Sequence, residues 1–337
     1  MKKITILLLV LLLTSLVLPA CSSGENQQEQ AENNEKQEEL ELEKITVTLD
    51  WTPNTNHTGL YVAKDKGFFE EVGLEVEIIQ PSGGTAEQLV ASDKADFGVS
   101  YQEQVTLARV EDIPIVSLAA VIQHNTSGFA SIKEKGIESP KDFEGKKYGG
   151  WGSPIEQATL KVIMDKYDGD VDEVEIITSG DTDFFVASER DIDFAWIFEA
   201  WTGIEAQLRG IELNYIDLGK EDENLDYYTP VLITNEDKIE NNSDLVGRFM
   251  EATAKGYEFA IKNNEEAAQI LLDNAPELDE DLVRKSQEWL SSRYQADAEQ
   301  WGFQKQEVWD NYTNWLFERD LIEKNIDTTK AFTNDFL

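Results

Sequence analysis

"KITVTLDWTPNTNHTGLYVAKDKGFFEEVGLEVEIIQ", Lys44 to Gln80, is the stretch on which the fold turns. Its first residues alternate and are rich in β-branched side chains, so Ile45 to Leu49 reads as a strand. A dense polar turn follows from Asp50 to His57, and "HTGLYVAKDKG" then reads as a helix that stops at Gly67. "LEVEIIQ" is the next strand.

The alternation continues outward from this unit. "GGTAEQLVASDK" is a short helix, "ADFGVS" a strand, "EQVTLARVE" a helix and "IPIVSLAAVIQ" a longer strand. A second series opens near Thr126 with "GKKYGGWGSPIEQATLKVIMDKY", "EVEIITSG", "TDFFVASERDIDFAWIFEAW" and "IELNYIDL". Such repeated alternation predicts mostly parallel sheets flanked by helices, the α/β class. After "PVLITN" the chain reads as helical to its end, with Trp289, Trp309 and Trp315 on apolar stripes and therefore expected in the core.

Two series of this kind predict two lobes joined by crossings near Gln123 and Tyr228. Residues 44–125 form the first part of lobe I, 126–228 lobe II, and 229–337 the second part of lobe I with the C-terminal helices. Open α/β sheets take ligands beyond the carboxyl ends of their strands. Those positions are Asp50 to His57, Ser82 to Thr85, Ser100 to Glu103, Thr126 to Gly128, Trp151 to Ile155 and Trp196 to Trp201.

The N-terminus has a different character. "MKKITILLLVLLLTSLVLPAC" has a basic start, an apolar run from Ile4 to Leu18 and small residues before Cys21, the pattern of a secretory leader over 1–20. The run is shorter than the roughly 20 residues of a membrane-spanning helix. Leu18-Pro19-Ala20-Cys21 matches a bacterial lipobox, so Cys21 is expected to carry lipid. The Gln-, Glu- and Asn-rich segment that follows, to residue 43, reads as a disordered tether that spans about 25 Å as a flexible coil.

The chain has 1 Cys, so the folded part contains no disulfide, thiolate metal site or thiol nucleophile. A net charge of -38, from 29 Lys plus Arg against 67 Asp plus Glu, repels polyanions and argues against nucleic acid as a partner.

"DWTPNTNHTGLYVAKDKGFFEEVGLEVEI", "GGTAEQLVASDKADFGVS", "GKKYGGWGSP" and "WIFEAW" resemble the substrate-binding lipoproteins of bacterial ABC importers for thiamine pyrimidine precursors. The resemblance implies the two-lobed type II periplasmic binding protein fold. It also implies an aminopyrimidine ligand, permease and ATPase subunits as partners, and a monomeric body held at the extracellular face of the membrane by lipid on Cys21. Nitrate and sulfonate binders share the opening motif, so a small anion is the alternative ligand. Fungal members of the family are single-turnover enzymes that use pyridoxal phosphate, a lysine, a histidine and a cysteine-rich motif. Here Ser100 and Gln104 stand where the fungal lysine and histidine are expected, and "LDYYTPVLITN" replaces the cysteine-rich stretch. No cofactor and no catalytic residue are expected.

A flat aminopyrimidine calls for aromatic faces and an acceptor at its amino edge. Trp51, Tyr101, Trp151, Trp196, Trp201 and Tyr228 are the aromatic candidates, with Trp51, Tyr101 and Trp151 foremost. Glu199 is the leading acceptor, unless it only faces solvent or the following helix dipole; Glu103 is a second acid. Asn54 and His57 are expected at the ligand's edge, the alternative for His57 being a helix cap. Gly152 and Ser153 offer N–H groups for a formyl oxygen or an anion, or Ser153 is a plain N-cap. Gly83 and Gly84 form a similar cradle. His124 is expected by the hinge. A hydrolase using Glu103 with Glu199, or Ser100 with His57, is a third reading.

Overall fold

The computed structural model describes residues 42–337 apart from Gly83 and Asp181. The leader 1–20, Cys21 and nearly all of the tether lie outside the described residues, as does Gly83 of the expected cradle. Glu43, the tether's last residue, already belongs to the first strand.

Among the described residues, ten strands form two five-stranded sheets. They are β1 Glu43–Thr48, β2 Leu74–Ile79, β3 Phe97–Ser100, β4 Ile115–Ala120, β5 Ser127–Ile132, β6 Lys147–Gly150, β7 Glu175–Thr178, β8 Phe194–Phe198, β9 Leu213–Asp217 and β10 Val231–Asn235. The first sheet runs β2-β1-β3-β10-β4 and the second β7-β6-β8-β5-β9. Within the first, β2, β1 and β3 pair in parallel while β10 is antiparallel to both its neighbours. In the second, β7, β6 and β8 are parallel and β5 is the antiparallel member. Each sheet is thus mostly parallel with one reversed strand. The reversed strand holds the same place in both orders, because each is the strand on which the chain arrives from the other sheet. That correspondence makes β1 the counterpart of β6, and β3 of β8.

The longer strand expected from Ile113 to Gln123 ends at Ala120. Residues 121–126 instead carry the chain to β5, and 218–230 return it to β10. The helix Thr58–Asp65 lies on the helix Ser243–Lys262 at backbone contact: a Cβ on Gly256 would fall 2.0 Å from the Gly59 carbonyl oxygen. No larger residue fits there without separating the helices.

The last long helix, Gln306–Phe317, spans two cores. Trp309 packs with Val105, Tyr228 and Val231 beside the first sheet. Tyr312, Trp315 and Leu316 pack with Phe129, Tyr148 and Phe194 beside the second. Trp309 and Trp315 are buried as their stripes predict, and Trp289 is partly buried against the core of the first sheet. No helix among the described residues is long and apolar enough to cross a membrane.

Candidate functional site

The polar turn after β1 is held mainly by its own side chains. Asn54 caps the short helix Thr55–His57: its Oδ1 accepts the Asn56 N–H at 2.9 Å, and its own N–H donates to His57 Nδ1 at 3.2 Å. With Nδ1 accepting, the ring proton sits on Nε2, which reaches Asp50 Oδ1 at 2.6 Å. The Tyr101 hydroxyl donates to Asp50 Oδ2 at 2.5 Å. Burial alone raises the Asp50 carboxyl, but His57 and Tyr101 outweigh it and hold the group below the ordinary range. Burial first, then the Asp50 charge, pushes the Tyr101 hydroxyl up.

His57 is 0% exposed and both its nitrogens are occupied, so the expectation that it and Asn54 grip a ligand is corrected. They fix the loop. Side chains from the helical tail secure it from behind. Tyr294 donates to the Thr55 carbonyl at 2.6 Å and Tyr257 to the Asn56 carbonyl at 2.7 Å. What the loop leaves outside is Trp51, 45% exposed, at the mouth of the first sheet.

After β6, the N–H groups of Trp151, Gly152 and Ser153 donate to the Glu156 carboxylate at 3.2, 2.7 and 2.8 Å, and the Tyr148 hydroxyl adds a bond at 2.5 Å. This cradle was expected for an anion or a formyl oxygen. It is filled by the chain's own acid, and Ser153 is an N-cap whose Oγ accepts the Ile155 N–H at 3.3 Å. Gly150 makes room for it, since a Cβ there would sit 2.3 Å from Glu156 Oε1. Trp151 is left 46% exposed, its ring centroid 5.4 Å from that of Trp196. Trp196 is buried, and its indole N–H makes no hydrogen bond among the described residues.

β8 ends in a π turn, Glu199–Gly203, a rare geometry frequent at functional sites. The turn is anchored by Ser286, whose Oγ donates to the Ala200 carbonyl at 2.5 Å and meets Thr55 Oγ1 at 2.6 Å. Ala200 and Trp201 pack into the core of the first sheet, so Trp201 is largely a packing residue. The Glu199 carboxyl is half-buried and makes no hydrogen bond with the described residues. Burial raises it; Arg293 and Lys220 oppose the shift, and Asp217 adds to it.

Glu103 is 7% exposed at the start of the helix Gln102–Val110 and accepts a hydrogen bond from the Gln104 side chain at 3.3 Å. Burial, then the charge of Glu156 on the other lobe, pushes its carboxyl up to about 7. Tyr228 does not line a site: it is buried, and its hydroxyl accepts the Lys305 N–H at 2.8 Å. Its neighbour Tyr227, which sequence reasoning missed, is buried near Glu103, and burial first, then the Glu103 charge, pushes its hydroxyl up. Glu156 was legible as part of a Ser-x-x-Glu capping box. Glu87 was not; it takes the Ser100 hydroxyl, so Ser100 and His57 have different partners and the serine–histidine pair is not assembled. His124 meets Asp226 and Asp297 between the sheets.

Two mixed sheets of this topology, each flanked by helices, define the periplasmic binding protein architecture. The alkanesulfonate-binding protein SsuA from Xanthomonas axonopodis pv. citri, solved bound to MOPS, superposes with a TM-score of 0.67 at 12% identity, over 86% of this chain and 98% of that one. Within that architecture the chain belongs to the NMT1/THI5-like family, which matches residues 54–267. It is 30% identical to the formylaminopyrimidine-binding protein of Halalkalibacterium halodurans, over 87% of this chain and 90% of the relative. It is also 24% identical to the 4-amino-5-hydroxymethyl-2-methylpyrimidine phosphate synthase THI11 of Saccharomyces cerevisiae, over 73% of this chain and 75% of the relative.

Proposed function

We propose that the protein is an extracytoplasmic solute-binding lipoprotein, anchored through Cys21, that captures an aminopyrimidine precursor of thiamine and delivers it to an ABC importer. The observation that carries this reading is the pair of open indoles. Trp51 and Trp151 stand on different lobes at the ends of the corresponding strands β1 and β6, and both are unusually exposed for tryptophan. Lobe closure brings such faces together around a flat ring.

The electrostatics support the same ligand class. The segments Asp50 to His57, Ser100 to Gln104, Trp151 to Glu156 and Trp196 to Trp201 contain acids but neither Lys nor Arg. A sulfonate or nitrate would face the Glu199 carboxyl there; a basic heterocycle with an exocyclic amine gives that carboxyl a donor. Glu199, with no hydrogen-bond partner among the described residues, takes the amino group, and the Trp196 N–H, likewise unpartnered among them, suits a ring nitrogen or formyl oxygen. The name of the 30% identical relative is consistent with this ligand.

We read the role as binding without chemistry. Ser100 and Gln104 provide no amine for a Schiff base, and the one cysteine, Cys21, lies outside the described residues. Calorimetry on the purified protein with formylaminopyrimidine, its deformylated amine, thiamine and an alkanesulfonate tests the reading. Micromolar binding of an aminopyrimidine that weakens at least about tenfold in Glu199→Gln is expected, a loss of roughly 1.4 kcal/mol. Uptake of the sulfonate alone would replace the reading with an anion receptor.

A further inference from the structure

The chain passes between the sheets along 121–126 and 218–230, the stretch 292–305 between the last two long helices runs beside them, and one side chain touches all three. His124 lies on the first. Its Nδ1 is 2.7 Å from Asp226 Oδ2 on the second, and its Nε2 is 3.1 Å from Asp297 Oδ1 on the third. Backbone links run beside it. The Asn125 N–H donates to Asp226 Oδ1 at 2.8 Å, the Gln123 N–H to the Arg293 carbonyl at 3.4 Å, and the Trp301 indole to the Val121 carbonyl at 3.2 Å. The other charged group at the cluster is Lys305, 3.6 Å from Asp297 Oδ2; the Tyr228 hydroxyl is tied to the Lys305 backbone.

A carboxylate oxygen only accepts. A ring that faces one at each nitrogen must therefore carry a proton on both, as imidazolium. A neutral ring keeps one N–H and turns a lone pair toward the other carboxylate, so one of the two links is lost. The hydrogen bond that the ring donates to Asp226 raises it, burial opposes the rise, and Asp297 adds to it, to about 9.

We propose that His124 is a protonation-dependent clamp on the hinge, closed while the ring is charged and released in alkaline medium. It rests on the binding reading above only in its consequence, that the clamp sets how readily the lobes part around a ligand. The direction follows from linkage: the ring's ordinary value is 6.5 and its folded value about 9, so the clamp acts fully below 6.5 and fades as pH rises through 9.

The test uses the full chain without ligand. Amide hydrogen exchange is followed in peptides covering 118–127 and 292–305, comparing wild type with His124→Gln at matched pH between 6.5 and 10 so that base catalysis cancels in the ratio. Exchange about tenfold faster in the variant at pH 7, falling to parity by pH 10 with the sheet strands unchanged, is expected for a half-exposed clamp. Asp297→Asn, which weakens one leg alone, should show a smaller acceleration of about threefold at pH 7. Parity with wild type at pH 7 in both variants, or a ratio that stays constant to pH 10, overturns the clamp. Because no ligand is present, a protein that passes this test but binds no aminopyrimidine keeps the clamp and loses the proposed ligand.

Discussion

At the scale of single side chains, Trp51 and Trp151 supply most of the proposed binding surface without contributing to the core. Either one changed to Ala should weaken aminopyrimidine binding by about 2 kcal/mol, roughly thirtyfold in Kd by calorimetry. The melting temperature of the empty protein should stay within a degree or two, because neither residue belongs to a buried core. His57 should behave in the opposite way. His57→Ala leaves the buried Asp50 carboxylate with Tyr101 as its side-chain donor and should cost about 3 kcal/mol of stability in urea unfolding. The sequence drew attention to both kinds of residue for one reason, density of polar and aromatic groups at a strand end. It could not separate them, because whether a histidine faces a ligand or its own loop depends on a carboxylate seven residues earlier and on the tail tyrosines Tyr257 and Tyr294.

At the scale of elements, the loop after β6 and the π turn after β8 differ in how far their causes lie along the chain. Ser153-Pro154-Ile155-Glu156 is a local capping signature, and the helix start was readable from it. Its second role, an acid closing over three consecutive N–H groups, depends on the bare Cα of Gly150 and was not. Glu156→Ala should lower stability by about 2 kcal/mol and speed amide exchange at Trp151 to Ser153, with weaker ligand binding as Trp151 loses its fixed position. The π turn carries no signal of its own in Glu-Ala-Trp-Thr-Gly. It depends on Ser286, far along the chain, which ties it to Thr55 in the loop after β1. Ser286→Ala should therefore lower affinity and stability together, read by calorimetry and thermal melting.

At the scale of the whole molecule, alternation of strand and helix made both sheets legible. The strand orders were not, since they depend on where each crossing lands. Neither was the approach of Glu103 on one lobe to Glu156 on the other, which requires the lobes to be assembled. That approach has a pH signature. The Glu103 carboxyl rises from 4.5 to about 7, so the native state holds a proton that the unfolded chain releases, and stability falls as pH climbs across that window. Glu103→Gln should melt at the wild-type temperature near pH 4.5 and above it at pH 8, by an amount equivalent to at most about 3 kcal/mol.

The acid seated in the loop after β6 also bears on what the receptor can refuse. A binding loop whose N–H groups were free would welcome the phosphate ester of a pyrimidine alcohol as readily as the alcohol itself. Here Glu156 already occupies those N–H groups, and an incoming phosphate would have to displace a tethered acid. On the proposed reading the cargo is accordingly the bare base rather than its phosphate ester.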